Sequence, residues 1–431
     1  MAEQHGKALV PQIRFAGFTD PWEQRKLGEV AHFINGRAYS QNELLSSGKY
    51  PVLRVGNFYT NDSWYYSNLE LEDKNYAYEG DLLYTWSATF GPHIWHGNKV
   101  IYHYHIWKVQ LEAALEKLFA FQLLERDKER ILSDKNGSTM VHITKTGIEN
   151  TSVLMPCSVE EQRRIGAFFD RLDSLITLHQ RKYDKLCVLK KSMLDKMFPK
   201  GGSLYPEIRF AGFTDPWEQR KLGEELGFLR NNTLSRAELS DSEGTVFDIH
   251  YGDVLIKYGS VLDAEKADVP RIANDAVANR QTCDCLQDGD VIIADTAEDS
   301  AVGKCTELCN SAGKKVFSGL HTMPLRPMRK YASGYLGHYL NSPAFHDQLL
   351  PLMQGIKVIS VSRSAIEDMT MSVPSVAEQA SIGAFFDRLD SLITLHQRKY
   401  CGVASWMLGV ALVRLGSESD GAFGEMKHVL Q

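Results

Sequence analysis

Four cysteines in the second half of the chain have the residue type and the close spacing that a metal site requires. They form a Cys283-x-Cys285 pair and a Cys305-x3-Cys309 pair. Four thiolates can hold structural zinc, although the usual pair spacing is C-x2-C. The first half of the chain has no equivalent pairs. The alternative is that these are free thiols, which behave as small apolar residues when buried. We favour free thiols and expect no metal in this chain.

Two histidines in the first half form a second arrangement with possible chemistry. His103 and His105 alternate within residues 99–109 (KVIYHYHIWKV), which predict a strand, so both rings would lie on one face. A metal pair would need a third ligand, and none can be named from the sequence. With Tyr102, Tyr104 and Trp107 as neighbours, the histidines indicate a packed or groove-facing aromatic surface.

The sequence lacks the common catalytic motifs. It contains no G-x-x-x-x-G-K-[ST], no G-x-G-x-x-G after a predicted strand, and no H-E-x-x-H or G-x-S-x-G. Asp20-Pro21-Trp22 and its repeat at 215–217 match part of an amino-methyltransferase tetrapeptide but lack the second proline. We interpret them as structural turns and expect no catalytic residues.

A long internal repeat supplies the elements that hold these residues. Residues 11–29 (PQIRFAGFTDPWEQRKLGE) recur at 206–224 with one difference, Gln12 against Glu207. Residues 165–183 (IGAFFDRLDSLITLHQRKY) recur unchanged at 382–400, and we call these repeated segments the kept segments. Residues 30–164 and 225–381 share only scattered matches, and we call them the diverged middles. Repeats of roughly 200 residues exceed the 20–50 residues of a solenoid unit. The pattern predicts one scaffold used twice to recognise two different targets.

The two diverged middles predict mixed α/β globules. Residues 50–55 (YPVLRV), 81–86 (DLLYTW), 251–258 (YGDVLIKY) and 289–294 (GDVIIA) are rich in β-branched and aromatic residues, which favours strands. Residues 111–132 predict a helix. In the kept segments, TDPWE predicts a turn and QRKLGE a short helix.

Residues 158–198 predict one long helix, because they contain no proline and carry a heptad stripe of apolar residues. Its 41 residues would span roughly 60 Å at 1.5 Å per residue, which is more than a compact domain needs. His179 interrupts the stripe, and we interpret it as a polar residue that sets the register. The predicted coiled-coil seam of the two copies comprises Ile165, Phe168, Leu172, Leu175, Ile176, Leu186, Leu189, Ile382, Phe385, Leu389 and Leu392.

The second copy of the helix departs from the first after Tyr400. Residues 401–431 read CGVASWMLGVALVRLGSESDGAFGEMKHVLQ, and Gly402 and Gly409 weaken helix formation. We expect the helix over 375–400, possible continuation to about 415, and a frayed tail at 416–431. The heptad phase is kept by Val403, Trp406, Val410 and Val413.

Composition is that of an ordinary globular protein. The 431 residues predict two to four domains, and 43% hydrophobic with 24% charged residues is usual for soluble chains. A net charge of −6 does not favour nucleic-acid binding, since a basic domain is the usual footprint. The sequence has no apolar signal-peptide core, no apolar run of membrane length and no disulfide-rich pattern. We therefore expect a cytoplasmic protein with no membrane partner.

The layout over 11–400 resembles the specificity subunit of Type I restriction-modification systems. Residues 160–199 (EEQRRIGAFFDRLDSLITLHQRKYDKLCVLKKSMLDKMFP) are similar to that family's conserved helix. GKYPVLRVGNF, EGDLLYTWSATFGPHIW and GDVIIADTAEDSAVGKC resemble its target-recognition domains. Two variable globules, each followed by the conserved helix within a direct repeat, complete the likeness.

The resemblance implies an α+β fold with two target-recognition domains and two long helices that pack as an antiparallel coiled coil with pseudo-twofold symmetry. The implied domains are 11–157, helix 158–200, linker 201–205, 206–374, and helix 375–400 with the divergent tail. Each globule would recognise one half of a bipartite, asymmetric site on double-stranded DNA. The helices would set the spacing between the half-sites.

The same resemblance implies the partners and cofactors. The chain would dock two modification subunits, which use S-adenosylmethionine, and restriction subunits, which use ATP and Mg²⁺. It would hold no cofactor itself and would be non-catalytic. Two alternatives remain at this point: a coiled-coil adaptor that does not bind DNA, and a stand-alone DNA methyltransferase or nuclease.

The family has no fixed base-contacting residues, so the candidates are polar and aromatic residues on loops beside the family-like strands. For each one, plain surface structure is an equal alternative, and Trp86 is also a core candidate. The DNA-binding candidates are Arg37, Tyr39, Arg54, Asn57, Trp86, Ser87, Thr89, Lys99, Arg230, Asn231, Lys257, Thr296, Lys304, Lys314, Lys315 and His321.

Overall fold

The structure, a computed structural model, describes residues 10–11, 13–59, 62–87, 89–133, 143–355 and 358–414, with side chains described as far as Gly402. The chain forms two compact units. The first comprises the chain up to Leu178 and resumes at Gly402, and the second comprises His179–Cys401. The prediction of a mixed α+β architecture in two units is confirmed.

The first unit contains ten strands and two short helices and begins a long third helix, counted over its described residues. The strands are β1 (Glu23–Lys26), β2 (Ala31–Asn35), β3 (Tyr50–Leu53), β4 (Tyr65–Ser67), β5 (Tyr76–Ala77), β6 (Leu82–Thr85), β7 (Gly91–Ile94), β8 (Val100–Tyr102), β9 (Ile106–Leu111) and β10 (Ser152–Met155). The helices are α1 (Lys117–Ser133), α2 (Lys145–Glu149) and α3 (Val159–Lys196).

Three sheets build the first unit. One has the antiparallel order β2-β9-β6-β7, a second has the order β4-β3-β8-β5 with β3 and β8 parallel, and β1 pairs with β10. Helix α1 buries Phe119, Ala120, Leu123 and Leu124 against the first sheet. Their spacing puts all four side chains on one helical face.

The second unit repeats this plan with different strands. The strands are β11 (Glu218–Lys221), β12 (Leu226–Phe228), β13 (Leu239–Ser240), β14 (Phe247–Ile249), β15 (Val261–Asp263), β16 (Arg271–Ile272), β17 (Val291–Ala294), β18 (Thr296–Ala297), β19 (Cys305–Cys309), β20 (Val316–Ser318), β21 (Thr322–Pro327), β22 (Ile359–Ser360) and β23 (Thr370–Val373). The helices are α4 (Leu222–Glu225), α5 (Tyr251–Ile256), α6 (Asp275–Ala278), α7 (Tyr335–Leu340), α8 (Pro343–Leu349), α9 (Arg363–Glu367) and α10 (Val376–Arg414).

The sheets of the second unit have the orders β12-β21-β17-β19-β15 and β13-β16-β14-β20, with the small pairs β11-β23 and β18-β22. The kept segments build the same substructure in both units: Glu23 faces Met155 in the β1-β10 pair, and Glu218 faces Val373 in the β11-β23 pair. Each pair leads directly into a long helix, α3 or α10.

Three local predictions were wrong. Within the strand predicted at 251–258, residues Tyr251–Ile256 form helix α5, because His250 caps it: its Nδ1 accepts a hydrogen bond from the N–H of Gly252 at 3.2 Å. Residues 99–109 form two strands, with the turn at 103–105 between them. In QRKLGE only the second half is helical: Gln-Arg-Lys forms strand residues that pair with β10 or β23, and Leu-Gly-Glu forms a 3-10 turn in the first unit and begins helix α4 in the second.

Within the described part of the chain, no helix combines the length and the hydropathy that a membrane crossing requires.

Candidate nucleic-acid interface

A buried ion pair ties the start of each kept segment to the start of a long helix. The guanidinium of Arg14 donates two hydrogen bonds to Glu161, from Nε at 2.7 Å and from Nη2 at 2.8 Å. Arg209 makes the same two bonds to Glu378, at 2.7 and 2.8 Å. Both carboxylates are only 1% exposed. Bidentate pairing is geometrically specific, so it fixes the direction in which each long helix leaves its unit.

A glutamine and a glycine hold each helix against the diverged middle. Gln162 Nε2 donates to the carbonyls of Ala114 and Pro156, both at 2.9 Å, and its counterpart Gln379 donates to the carbonyl of Pro374. A Cβ on Gly166 would lie 2.7 Å from the backbone nitrogen of Phe119, and one on Gly383 would lie 2.7 Å from the carbonyl oxygen of Ser333. The backbones approach closely because glycine has no side chain.

The end of α3 and the residues that follow it belong to the second unit, and Met197 and Phe198, just after the helix, are buried in its core. Phe198 is 1% exposed and packs among aromatic rings at centroid distances of 5.4 to 6.3 Å. These rings are Trp217, Tyr335, Tyr339 and Phe386. Leu186, Met193 and Leu194 pack at the edge of the same core.

Within the second unit, α3 and α10 also meet through polar residues. Lys190 Nζ lies 2.5 Å from Asp390 Oδ1. His179 and His396, which occupy the same position in the two copies, share a hydrogen bond between their Nδ1 atoms at 2.9 Å. One imidazole must donate and the other accept, so the pair needs at least one neutral ring. Burial, followed by the charges of His396, Lys399 and Lys182, lowers the pKa of His179.

The predicted seam residues have different surroundings. Ile382 and Leu389 are buried in the core of the second unit, and Leu186 and Phe385 lie at its edge. Ile165 lies at the edge of the first unit's core, and Phe168 packs edge-to-face on Phe15 at 5.8 Å. Half-buried residues are Leu172 and Ile176, and exposed ones are Leu175, Leu189 and Leu392. Pairing along the whole seam stays a prediction.

An aromatic and imidazole surface forms at the turn 103–105 of the first unit. Tyr39 stacks on His103 with centroids 6.5 Å apart, and His103 lies 4.9 Å from His105. Trp86 contacts His105 edge-to-face at 4.9 Å, and its Nε1 donates to the carbonyl of Tyr104 at 2.9 Å. We call residues 39, 86 and 103–105 the aromatic surface. It unites two predicted candidates with the histidine pair.

The histidines of this region are neutral near pH 7. Burial, then the charges of His105 and Arg54, lowers the pKa of His103 to about 4. Burial, then Lys128, lowers the pKa of His93 to about 4. A neutral imidazole offers one donor and one acceptor and no charge. The aromatic surface is therefore suited to base edges and base faces rather than to phosphates.

The cations predicted around this surface have partners. Arg37 Nη2 donates to Glu43 at 2.6 Å, and Arg54 lies over the ring of Tyr65 at 4.3 Å. Arg54 and Asn57 both donate to the carbonyl of Ser63. Ser87 is half-buried and Thr89 is exposed, one on each side of residue 88. Lys99 belongs to a different patch, over the ring of Tyr76 at 3.7 Å.

In the second unit, fewer of the predicted DNA-binding candidates lie close to one another. Thr296 Oγ1 and His321 Nδ1 are 3.5 Å apart, and Tyr251 lies 5.3 Å from the His321 ring. Arg230 is exposed and pairs with Asp284 at 3.1 Å. Asn231 donates to the carbonyl of Gly319 at 3.0 Å.

The four lysine candidates of the second unit contact its own backbone or rings. Lys304 Nζ donates to the carbonyl of Leu255 at 2.7 Å, and burial lowers its pKa. The carbonyls of Asp268 and Ala264 accept from Lys257 and Lys314. Exposed Lys315 lies over the ring of Phe317 at 5.0 Å. Of the four, Lys257 and Lys315 are exposed, while Lys304 and Lys314 are half-buried.

The cysteines at 283, 285, 305 and 309 are free thiols. Burial raises the pKa of Cys283 and that of Cys309 to about 11, and it raises the pKa of fully buried Cys305 further. Among the residues whose positions are described, no three His, Cys, Asp or Glu side chains are grouped to hold a metal ion.

Sequence reasoning missed one part of the first unit's surface. Phe58 stacks on His93 at 4.1 Å, Tyr59 donates to or accepts from His93 Nε2 at 3.2 Å, and Thr85 lies 3.3 Å from the same nitrogen. A Phe-Tyr pair after the family-like GKYPVLRVGN and a histidine inside GPHIW were the signals present.

Comparison with known proteins supports the family resemblance. Residues 19–187 match the family model described as the Type I restriction modification DNA specificity domain. The Type I restriction enzyme MjaVIII specificity subunit of Methanocaldococcus jannaschii is 21% identical over 88% of this chain and 88% of its own length.

A crystal structure of a Type I restriction-modification S subunit from M. genitalium has a similar fold. It aligns with a TM-score of 0.55 at 15% identity, covering 95% of this chain and all of its own. The family-model match at residues 19–187 and the M. jannaschii relative confirm the predicted resemblance to the Type I restriction-modification specificity subunits.

Proposed function

We propose that this chain is the DNA-recognition subunit of a Type I restriction-modification complex. Each unit recognises one half of a bipartite, asymmetric site on double-stranded DNA. The observation that carries the proposal is that the two units are attached to their long helices by identical contacts but have different candidate DNA-binding surfaces. The pairs Arg14–Glu161 and Arg209–Glu378 are the same, whereas the aromatic surface of the first unit has no sequence equivalent at Thr296 and His321.

The two long helices form the spacer as an antiparallel coiled coil with pseudo-twofold symmetry. The contacts that support this lie within the second unit, where residue numbers on α3 rise as those on α10 fall. They are His179 with His396, Lys190 with Asp390, and Phe198 with Phe386. A stiff spacer converts protein length into a fixed distance between half-sites, as dimer geometry does in other DNA-binding proteins. The boundaries stay as predicted, with recognition domains at 11–157 and 206–374.

The chain performs no chemistry in this proposal. Two modification subunits supply adenine methylation with S-adenosylmethionine, and restriction subunits supply ATP- and Mg²⁺-dependent cleavage, in the cytoplasm. Methylation requires the target base to leave the stack, which is the task of the modification subunit. The absence of nucleotide-binding and catalytic motifs from the sequence fits this division of labour.

The two units contact DNA through different chemistry. In the first, neutral His103 and the rings of Tyr39 and Trp86 contact bases, which adds sequence preference with little dependence on salt. In the second, His321 contacts a base, and exposed Arg230 and Lys315 contact phosphates. Each phosphate contact releases a counterion and steepens the salt dependence of binding.

Methylome sequencing tests the proposal in a host that carries the chain with its modification subunits. We expect His103→Ala to relax the base preference in one half-site and His321→Ala to relax the base preference in the other. Each variant is therefore the control for the other variant. Loss of one base-specific contact costs about 1–3 kcal/mol of discrimination. Unchanged methylated motifs in both variants would contradict DNA recognition by these surfaces. Binding of S-adenosylmethionine by the isolated chain would contradict the division of labour.

A further inference from the structure

The second unit exposes an isoleucine at the end of a short helix. Ile256 is 88% exposed, more than any other large apolar side chain in the part of the chain that the structure describes. It is the last residue of α5, a helix that buries Val254 in a core of the same unit. A single exposed apolar residue is common on protein surfaces, so the surroundings of Ile256 must show what it contacts.

Both ends of α5 are held in place by hydrogen bonds. At its start, His250 Nδ1 accepts from the N–H of Gly252 at 3.2 Å. Near its end, Lys304 Nζ donates to the carbonyl of Leu255 at 2.7 Å. The side chain of Ile256 is itself stiff, because branching at Cβ restricts its χ1 rotamers. The isoleucine is therefore presented to solvent in a fixed position, and a partner that binds it loses little conformational entropy.

Four of the eight DNA-binding candidates of the second unit lie around this helix. Lys257 directly follows α5, and Lys304 binds a carbonyl near its end. The ring of His321 lies 5.3 Å from that of Tyr251, the first residue of α5. Thr296 Oγ1 lies 3.5 Å from His321 Nδ1. The exposed isoleucine therefore belongs to the helix that brings these polar candidates together.

The charge beside Ile256 also fits DNA. Lys257 is exposed, and both Lys257 and Lys304 are bonded to backbone carbonyls, which leave the lysine charges in place. The carboxylate of Asp253, one turn earlier on α5, is paired with Arg236 at 2.6 Å. Positive charge fixes a protein on the phosphates, while neighbouring side chains reach the edges of the bases.

We propose that Ile256 contacts the C5-methyl group of a thymine in the half-site of the second unit, an inference that rests on the proposed function. Thymine is the base that presents a methyl group in the major groove, and apolar side chains recognise it. His321 and Thr296 supply hydrogen-bonding groups on the same surface, and Ile256 supplies the apolar contact. Polar and aromatic candidates alone would not have included it.

Binding by the complex with its modification subunits tests this contact. Methylome sequencing gives the site, and the motif change in His321→Ala identifies the half-site of the second unit. Each thymine of that half-site is then replaced in turn by deoxyuridine, which lacks only the methyl group. We expect one replacement to weaken DNA binding by wild type about fourfold, the effect of exposing one methyl-sized group. The same replacement should not weaken binding by Ile256→Ala any further, because the two changes remove the same contact.

Met328→Ala is the matched control, because Met328 is 56% exposed and follows the end of β21, whereas His321 precedes its start. It should respond to deoxyuridine as wild type does. Equal responses of Ile256→Ala and wild type at every position would overturn the proposal. Weaker binding by Ile256→Ala without any effect of deoxyuridine on wild type would assign Ile256 to a wedge between base pairs and also overturn it. So would loss of the modification subunits from the Ile256→Ala complex, which would assign the residue to a protein contact. Failure of the wild-type complex to bind the duplex would instead overturn the proposed function, and this contact with it.

Discussion

Phe198 lies two residues beyond the end of α3 and is buried in the core of the second unit. It is 1% exposed and contacts four aromatic rings at centroid distances between 5.4 and 6.3 Å. Phe→Ala in a core costs about 3–5 kcal/mol, from lost transfer free energy and the cavity left behind. Each aromatic pair contributes about 0.5–1.5 kcal/mol beyond its buried area. We therefore expect Phe198→Ala to lower the free energy of unfolding of the second unit by about 4 kcal/mol.

Hydrogen exchange followed by mass spectrometry separates the two units in the intact chain. A loss of about 4 kcal/mol increases the rate of amide exchange through unfolding of the second unit roughly a thousandfold. We expect this acceleration in β11, α7 and the first half of α10. Peptides from β2, β6 and β9 should keep their protection.

Leu189→Ala is the matched control, because Leu189 lies on the same helix and is 41% exposed. A surface substitution of this kind changes stability by less than about 0.5 kcal/mol. If Phe198→Ala changes exchange no more than Leu189→Ala does, the end of α3 is not part of the second unit's core.

Two further predictions concern the ionisable contacts. Glu161→Gln and Glu378→Gln should each destabilise one unit, because they leave a partly buried guanidinium without its carboxylate. Urea denaturation measures the loss, and equal stability of wild type and variants would show that the pairs are dispensable. The pKa of His179 is lowered in the folded chain. As the pH falls, this imidazole therefore takes up a proton at a higher pH in the unfolded chain than in the folded chain. Stability should be constant above about pH 6.5 and fall below it, as denaturation midpoints across this range measure. His179→Gln with His396→Gln should reduce that fall, while His93 and His103, whose pKa values are also lowered, still contribute to it.

The long helices were predictable because their signal is local and periodic. Residues 158–198 carried an apolar stripe without proline, and helix α3 covers Val159–Lys196. The strand predicted at 251–258 failed because a single cap, His250 on Gly252, outweighed the β propensity of valine and tyrosine. Propensity is a weak signal wherever a short segment has a competing local hydrogen bond.

The aromatic surface was predictable only in part, because its members are distant in sequence. Tyr39 reaches His103 through the isolated parallel bridge between Arg37 and His103, and a parallel register cannot be derived from one sequence. The histidine pair and Trp86 were visible as residue types. The partners that occupy Arg37 and Lys304 depend on tertiary contacts that the sequence does not reveal.

The kept contacts explain how two different middles fit one scaffold. Several contacts between the long helices and the diverged middles are made to backbone atoms: Gln162 accepts from the N–H of Glu116, and Gln379 accepts from that of Ala332. Gly166 and Gly383 also approach backbone atoms. Every non-proline residue offers the same backbone groups, so these attachments tolerate any side chains in the middle. Contacts between side chains, such as Phe15 on Phe168, join kept segments to each other. A recognition domain can therefore diverge freely in its surface while its attachment to the helix stays the same.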